Sequence, residues 1–135
     1  LWLIASAVLI AIFIISHTHL LLYSEAPLRN EKISLIAACK GRSRTLEMAS
    51  QSWLQLSGLH EIILVDWSSQ PSLSRSISAL LRYPRLKYIH VLNEERWILS
   101  WAYNLAADFT DPSSDNILKV DCDTSIAPQF LKHHT

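Results

Sequence analysis

The stretch NILKVDCD, Asn116 to Asp123, decides the reading of this chain. Residues 116–120 form a short apolar run of strand length, and two carboxylates at i and i+2 stand directly behind it. Hard divalent cations take oxygen ligands, so if the chain turns after the strand, Asp121 and Asp123 can converge on one Mg2+ or Mn2+. That ion can also bridge a diphosphate and neutralise charge developing on a leaving group. The tripeptide alone is a weak signal. Its weight comes from what precedes it.

Working back along the chain, strand-like and helix-like segments alternate. KYIHVL, Lys87 to Leu92, reads as a strand, followed by a helix face of Ile98, Ala102, Leu105 and Phe109 that Pro112 breaks. ISLIAAC, Ile33 to Cys39, is a continuous apolar run, as expected of a parallel strand buried on both faces. KGRS then turns the chain, with Gly41 free to adopt left-handed backbone angles. Leu46, Ala49, Trp53, Leu54 and Leu56 recur at helical spacing, predicting a helix over 43–57 with Ser43 as N-cap and Gly58 at its end. EIILV, Glu61 to Val65, is the next strand. Leu73, Ile77, Leu80 and Leu81 fall at i, i+4, i+7 and i+8, the stripe of a helix closed by Pro84. The pattern predicts an α/β domain with a Rossmann-like parallel sheet.

In such sheets ligands bind beyond the carboxyl ends of the strands. Those positions here are 39–42, 66–69, 93–97 and 121–124, a polar set with three aspartates. Asp66 has two readings: its carboxylate accepts hydrogen bonds from a base or ribose, or it opens a turn with Ser68 and Ser69. Arg42 and Arg44 suit phosphate by their guanidinium geometry, and are equally ordinary as loop charges. Trp97 and Trp101, one helical turn apart, fit the core or the border of a donor pocket. His133 and His134 are adjacent and point in different directions on a helix, which is poor ligand spacing. Nothing places Glu94 or Glu95 near a sugar carbon.

The amino-terminal stretch carries separate information. Residues 1–23 contain no charged side chain, and LWLIASAVLIAIFIIS is almost wholly apolar. That length can cross a hydrocarbon core of about 30 Å at about 1.5 Å per residue, so a transmembrane signal anchor is expected, with 24–32 as a polar linker. A cleaved signal peptide is the rival, though the apolar part is long and no small-residue cleavage site stands out. Twelve Lys and Arg balance twelve Asp and Glu, which leaves no electrostatic footprint for nucleic acid. Cys39 and Cys122 lie far apart and lack metal-ligand spacing, and they are expected to be buried free thiols.

The ordered series ISLIAACKGRS, EIILVDWSS, NEERWILSWAYNLAA and ILKVDCDTSIAPQFL resembles the nucleotide-sugar half of inverting glycosyltransferases with the GT-A fold, close to the family 2 type. The resemblance covers nearly all of 33–131 and implies that 33–135 is the front part of a GT-A domain, with the catalytic base in a further half. It implies nucleotide-sugar contacts at Ala38, Cys39, Arg42, Asp66, Asn104 and Asp121, and a divalent metal (Mn or Mg) on Asp121 and Asp123. It also implies a nucleoside diphosphate sugar as donor, a UDP-sugar by preference, and a glycan or glycoconjugate acceptor. A single-pass enzyme facing a Golgi-type lumen follows from the resemblance and the anchor together. Two positions differ from the family pattern: Asp66-Trp67-Ser68 stands where many relatives have two aspartates and a glycine, and Tyr103 stands where an arginine often precedes the helical asparagine. A nucleotidyltransferase is the alternative, but KGRS is short and glycine-poor for its phosphate loop. A non-catalytic nucleotide-binding relative is the other.

The anchor is testable by fractionation. The chain with residues 1–23 is expected to stay in the membrane pellet through carbonate washing, and a chain starting at Glu31 is expected to leave it. Release of the longer chain, at a mass matching cleavage near Ser24, would identify a signal peptide instead.

Overall fold

A computed structural model of the chain describes residues 31–130. The expected anchor, most of the linker, and His133 and His134 lie outside the described residues. Four strands form one sheet: β1 (Ile33–Cys39), β2 (Leu59–Trp67), β3 (Leu86–Val91) and β4 (Asn116–Asp121). All pairings are parallel, and the order is β3-β2-β1-β4. The α/β class and the all-parallel sheet are therefore as the alternation predicts, and consistent with a Rossmann-like fold.

The helices are α1 (Ser43–Trp53), the single-turn α2 (Ser78–Leu81) and α3 (Leu99–Asp108), with a 3-10 turn over Leu73–Ser76. Side chains alternate across each strand, so β1 feeds two cores. Ile33, Leu35, Ala37 and Cys39 pack with Leu46, Ala49 and Trp53 of α1 and with Leu73, Ile77 and Leu80. Ile36 and Ala38 point the other way, toward Ala102, Tyr103 and Ala106 of α3. All seven residues of β1 are buried, which explains why its sequence has no polar alternation. Among the described residues β4 pairs only with β1, and Ile117 on it is half exposed, as at a sheet edge.

The helix expected over 43–57 stops at Trp53, and Arg42 rather than Ser43 occupies its N-cap, without a side-chain cap bond. Ser50 and Ser52 donate to the carbonyls of Glu47 and Ala49, at 3.1 and 2.7 Å, competing with the helical ladder near its end. Trp53 donates its indole N–H to the Thr124 carbonyl at 2.8 Å, and Leu56 turns into the core. Gly58 does not cap the helix. It sits at the entry to β2 with φ +83°, and a Cβ there would lie 2.6 Å from the Glu31 carbonyl oxygen. The helix expected over Leu73–Leu81 is divided into the 3-10 turn, which Ser72 caps, and the single-turn α2, with Ile77 between them outside helical angles (φ -117°, ψ 35°), while the Leu73 N–H donates to the Asp66 carboxylate at 2.9 Å. Leu73, Ile77 and Leu80 still face the sheet, whereas Leu81 is exposed. On α3 the buried face is Ala102, Tyr103 and Ala106, and Phe109 is exposed. Ala102 is thus buried as expected and Leu105 packs against the same core, while Tyr103 and Ala106 complete the face.

Below the sheet, Glu61 is buried yet fully engaged. It accepts from Ser34 Oγ and the Asp111 N–H, each at 2.5 Å, and pairs with Lys87 at 2.8 Å. Burial pushes its carboxyl up, but the bonds from Lys87 and Ser34 outweigh that and hold it below its ordinary value.

Gly58→Ala is expected to destabilise the fold by about 2 kcal/mol or more, because it adds a backbone clash to left-handed strain. Gly41 also has positive φ, +67°, but open space where a Cβ would go. Gly41→Ala is therefore expected to cost about 1 kcal/mol. Denaturant unfolding of the two variants checks this, and a smaller loss at Gly58 than at Gly41 would show that the Glu31 carbonyl yields.

Candidate functional site

The strand order places the site. From β1 the chain moves outward to β2 and β3, then returns to the other side of β1 as β4, so the order reverses between β1 and β4. Loops diverge at such a switch point and leave a crevice. A cavity of about 380 Å3 lies there, lined by Ala38, Lys40, Arg42, Trp97, Leu99, Asp121, Cys122 and Asp123. It therefore combines two carboxylates, two cations and an apolar wall with one indole.

The acidic pair is shaped by a tight turn, in which the Thr124 N–H donates to the Asp121 carbonyl at 2.9 Å. The turn is strapped to α1 by Trp53 and by the Ile126 N–H, which donates to Ser52 Oγ at 2.9 Å. Asp121 is the register partner of Ala38. Its Oδ1 accepts from Tyr103 at 2.9 Å and from Lys119 at 3.3 Å. Those bonds hold the Asp121 carboxyl below its ordinary value, so it is ionised near neutral pH. Burial, then the bond to Asp121, raises the Tyr103 hydroxyl well above its usual range, so it stays a donor. Arg42 pairs with Asp123 Oδ2. Among the described residues, Asp121 Oδ2 and Asp123 Oδ1 have no hydrogen-bond partner.

Among the described residues, no group of three or more His, Cys, Asp or Glu side chains is arranged to hold a metal ion. Two carboxylates still fit the expected Mg2+ or Mn2+, because such ions are commonly held by one or two carboxylates, with phosphate oxygens and waters completing the shell. The free oxygens of Asp121 and Asp123 are the donor set on offer.

The other expected contacts divide. Ala38 and Arg42 line the cavity with Asp121. Cys39 does not: alternation turns it into the opposite core, next to Cys122. Both thiols are free, and the bond to Cys122 together with burial raises the Cys39 thiol so that it remains protonated. Asn104 is exposed on α3 and does not line the cavity. Its neighbour Tyr103 makes the contact to the aspartate motif instead, one residue from the expected position.

Asp66 is not among the residues that line the cavity. It is fully buried on the α1 face, and its carboxylate accepts from the Ser69 N–H at 3.2 Å, the Leu73 N–H at 2.9 Å, Ser72 at 3.3 Å and Tyr88 at 2.5 Å. The turn-forming reading of Asp66 is the one these contacts favour. Trp67 continues the strand into the second core and donates to the Arg96 carbonyl at 2.8 Å. Trp97 is 40% exposed and meets Trp67 edge-on at 6.1 Å, while Trp101 is more exposed still, so neither is a core residue. Lys40 donates to the carbonyls of Glu94 and Glu95 at 3.1 and 2.8 Å, a bridge between loops that its sequence context does not signal.

A scan against protein-family models finds no match, and a search of curated proteins finds none either.

Asp66→Asn is expected to lower stability by about 2 kcal/mol at about pH 7 without altering the cavity. Burial pushes the Asp66 carboxyl up, yet the bonds from Ser69, Tyr88 and the Leu73 backbone hold it below its ordinary 3.8. Its contribution is therefore complete above 3.8 and lost as pH falls through the lower native value. Unfolding measured near neutral pH and in acid should show the Asn penalty shrinking in acid. A constant penalty would mean that the charge is not what the donors hold.

Proposed function

We propose that the protein is a glycosyltransferase of the GT-A type that binds a nucleoside diphosphate sugar, by preference a UDP-sugar, at the β1/β4 crevice. The observation that carries this reading is one cavity holding an acidic pair, a guanidinium and an apolar aromatic wall at the switch point of a parallel sheet. Each part matches a part of such a donor: acids for a divalent ion, arginine for phosphate, and an indole face for a ring.

In this reading Asp121 and Asp123 hold Mn2+ or Mg2+, which when bound supplies positive charge to the departing diphosphate. Tyr103 and Lys119 fix the Asp121 carboxylate so that one oxygen faces the cavity. Arg42 offers a planar donor fork to the phosphates. Trp97 and Leu99 form the wall against which the donor lies and exclude water from one side. An acceptor hydroxyl, from a glycan or glycoconjugate, attacks the anomeric carbon, and its proton passes to a base outside the described residues. The apolar run over 1–23 supports a single-pass anchor and a Golgi-type lumenal enzyme. Among the described residues no helix is long and apolar enough to cross a membrane.

Donor and metal each supply ligands or charge to the other, so their binding must be mutually strengthening. Calorimetry with uridine diphosphate is expected to show affinity about tenfold higher with manganese than with chelator. Asp123→Ala is expected to abolish that dependence, and other nucleotides serve as comparison. Equal affinity with and without manganese in the unmodified protein would remove the metal role.

A further inference from the structure

The two carboxylates of the cavity are not held in the same way. Asp121 is fixed by a neutral phenol and an ammonium that both sit on one oxygen, and the other oxygen remains open. Asp123 is instead covered by Arg42, a cation that itself lines the cavity. The backbone of Arg42 is pinned: Gly41 donates to Ser69 Oγ at 2.8 Å, and the Arg42 carbonyl accepts the Leu46 N–H at the start of α1. Its side chain is 61% exposed and that of Asp123 40%, so the pair is solvated, weak and readily exchanged. Lys40, the other cation of the cavity, is committed to two loop carbonyls and has no such freedom.

Resting on the nucleotide-sugar reading, we propose that Arg42 is an exchange latch that couples diphosphate binding to metal binding. In this structure the guanidinium neutralises Asp123. A diphosphate offers the same fork two oxygens and a higher charge, so it draws Arg42 off the carboxylate. Asp123 then becomes available to a divalent ion, which is also relieved of a cation beside it. Arg42 thus sets the strength of coupling between the two ligands as well as contributing to anion affinity. No bond is made or broken; one ion pair is traded for two.

The latch makes a prediction opposite to that for a simple phosphate-binding arginine. Arg42→Gln is expected to bind manganese alone about three- to tenfold more tightly than the unmodified protein, because a competing cation has gone. Uridine diphosphate alone should bind more weakly, and the factor by which each ligand strengthens the other should fall to the part that direct metal–diphosphate contact supplies. Arg42→Lys keeps the charge and should retain most of the coupling, whereas Arg44→Gln, outside the cavity, should leave all three quantities unchanged. The measurements are manganese paramagnetic resonance and calorimetry on the intact protein, none of which requires turnover. Coupling that persists undiminished in Arg42→Gln, or manganese affinity that does not rise, overturns the latch and leaves the proposed function standing. Failure of the unmodified protein to bind either manganese or uridine diphosphate overturns both.

Discussion

Burial of β1 on both faces is the constraint on which the remaining structure depends. A strand with helices above and below and strands on either side has no surface left for polar side chains. Its residues Leu35, Ala37 and Cys39 are therefore committed to one core, and Ile36 and Ala38 to the other. β1 leads into α1 on one face, whereas β4 is reached from α3 on the other, so the strand order reverses between them and the crevice lies at that reversal. Its polar character follows as well, since Lys40, Arg42, Asp121 and Asp123 stand at the carboxyl ends of β1 and β4.

Apolar runs made the strands legible in the sequence, because a buried parallel strand is dictated almost wholly by hydrophobicity. Helix details were less so. The stripe Leu73, Ile77 and Leu80 was readable, but the break at Ile77, where the backbone leaves helical angles, has no proline or glycine to announce it. The inner face of α3 was legible in part: Ala102 is buried and Leu105 packs against the core as expected, whereas Tyr103 and Ala106 complete the face and Phe109 is exposed. Site residues on strands followed the same division. Alternation alone separates Ala38 from Cys39, so the cavity contact at one and the core position of the other were accessible to a stricter reading of periodicity.

Asp66 and Tyr103 needed the third dimension. A strand-end aspartate is polar in sequence whichever way it points, and only the donors gathered around it show that it organises the turn beneath the sheet. Burial and the bond to Asp66 push Tyr88 up to about 12, so this phenol also remains a donor. Tyr103 has the same chemistry on the other face, with its hydroxyl 2.7 Å from the Val120 carbonyl as well as near Asp121. The two aspartates, at the ends of the strands on either side of β1, thus have tyrosine partners but different fates: one is enclosed, and the other lines the crevice.

The strand order also has a temporal side. Synthesis proceeds from the amino terminus, so β1 is among the first described elements to emerge, yet its second neighbour β4 begins only at Asn116. The indole of Trp53 likewise waits for Thr124, 71 residues later, before its N–H is bonded. Until then the innermost strand of the finished sheet is an open edge on the growing chain, with apolar side chains on both faces. Such an edge can recruit a foreign strand. The element that ends up most protected is the one that stays longest at risk, and the segment that relieves it is the one that brings the acidic pair into place.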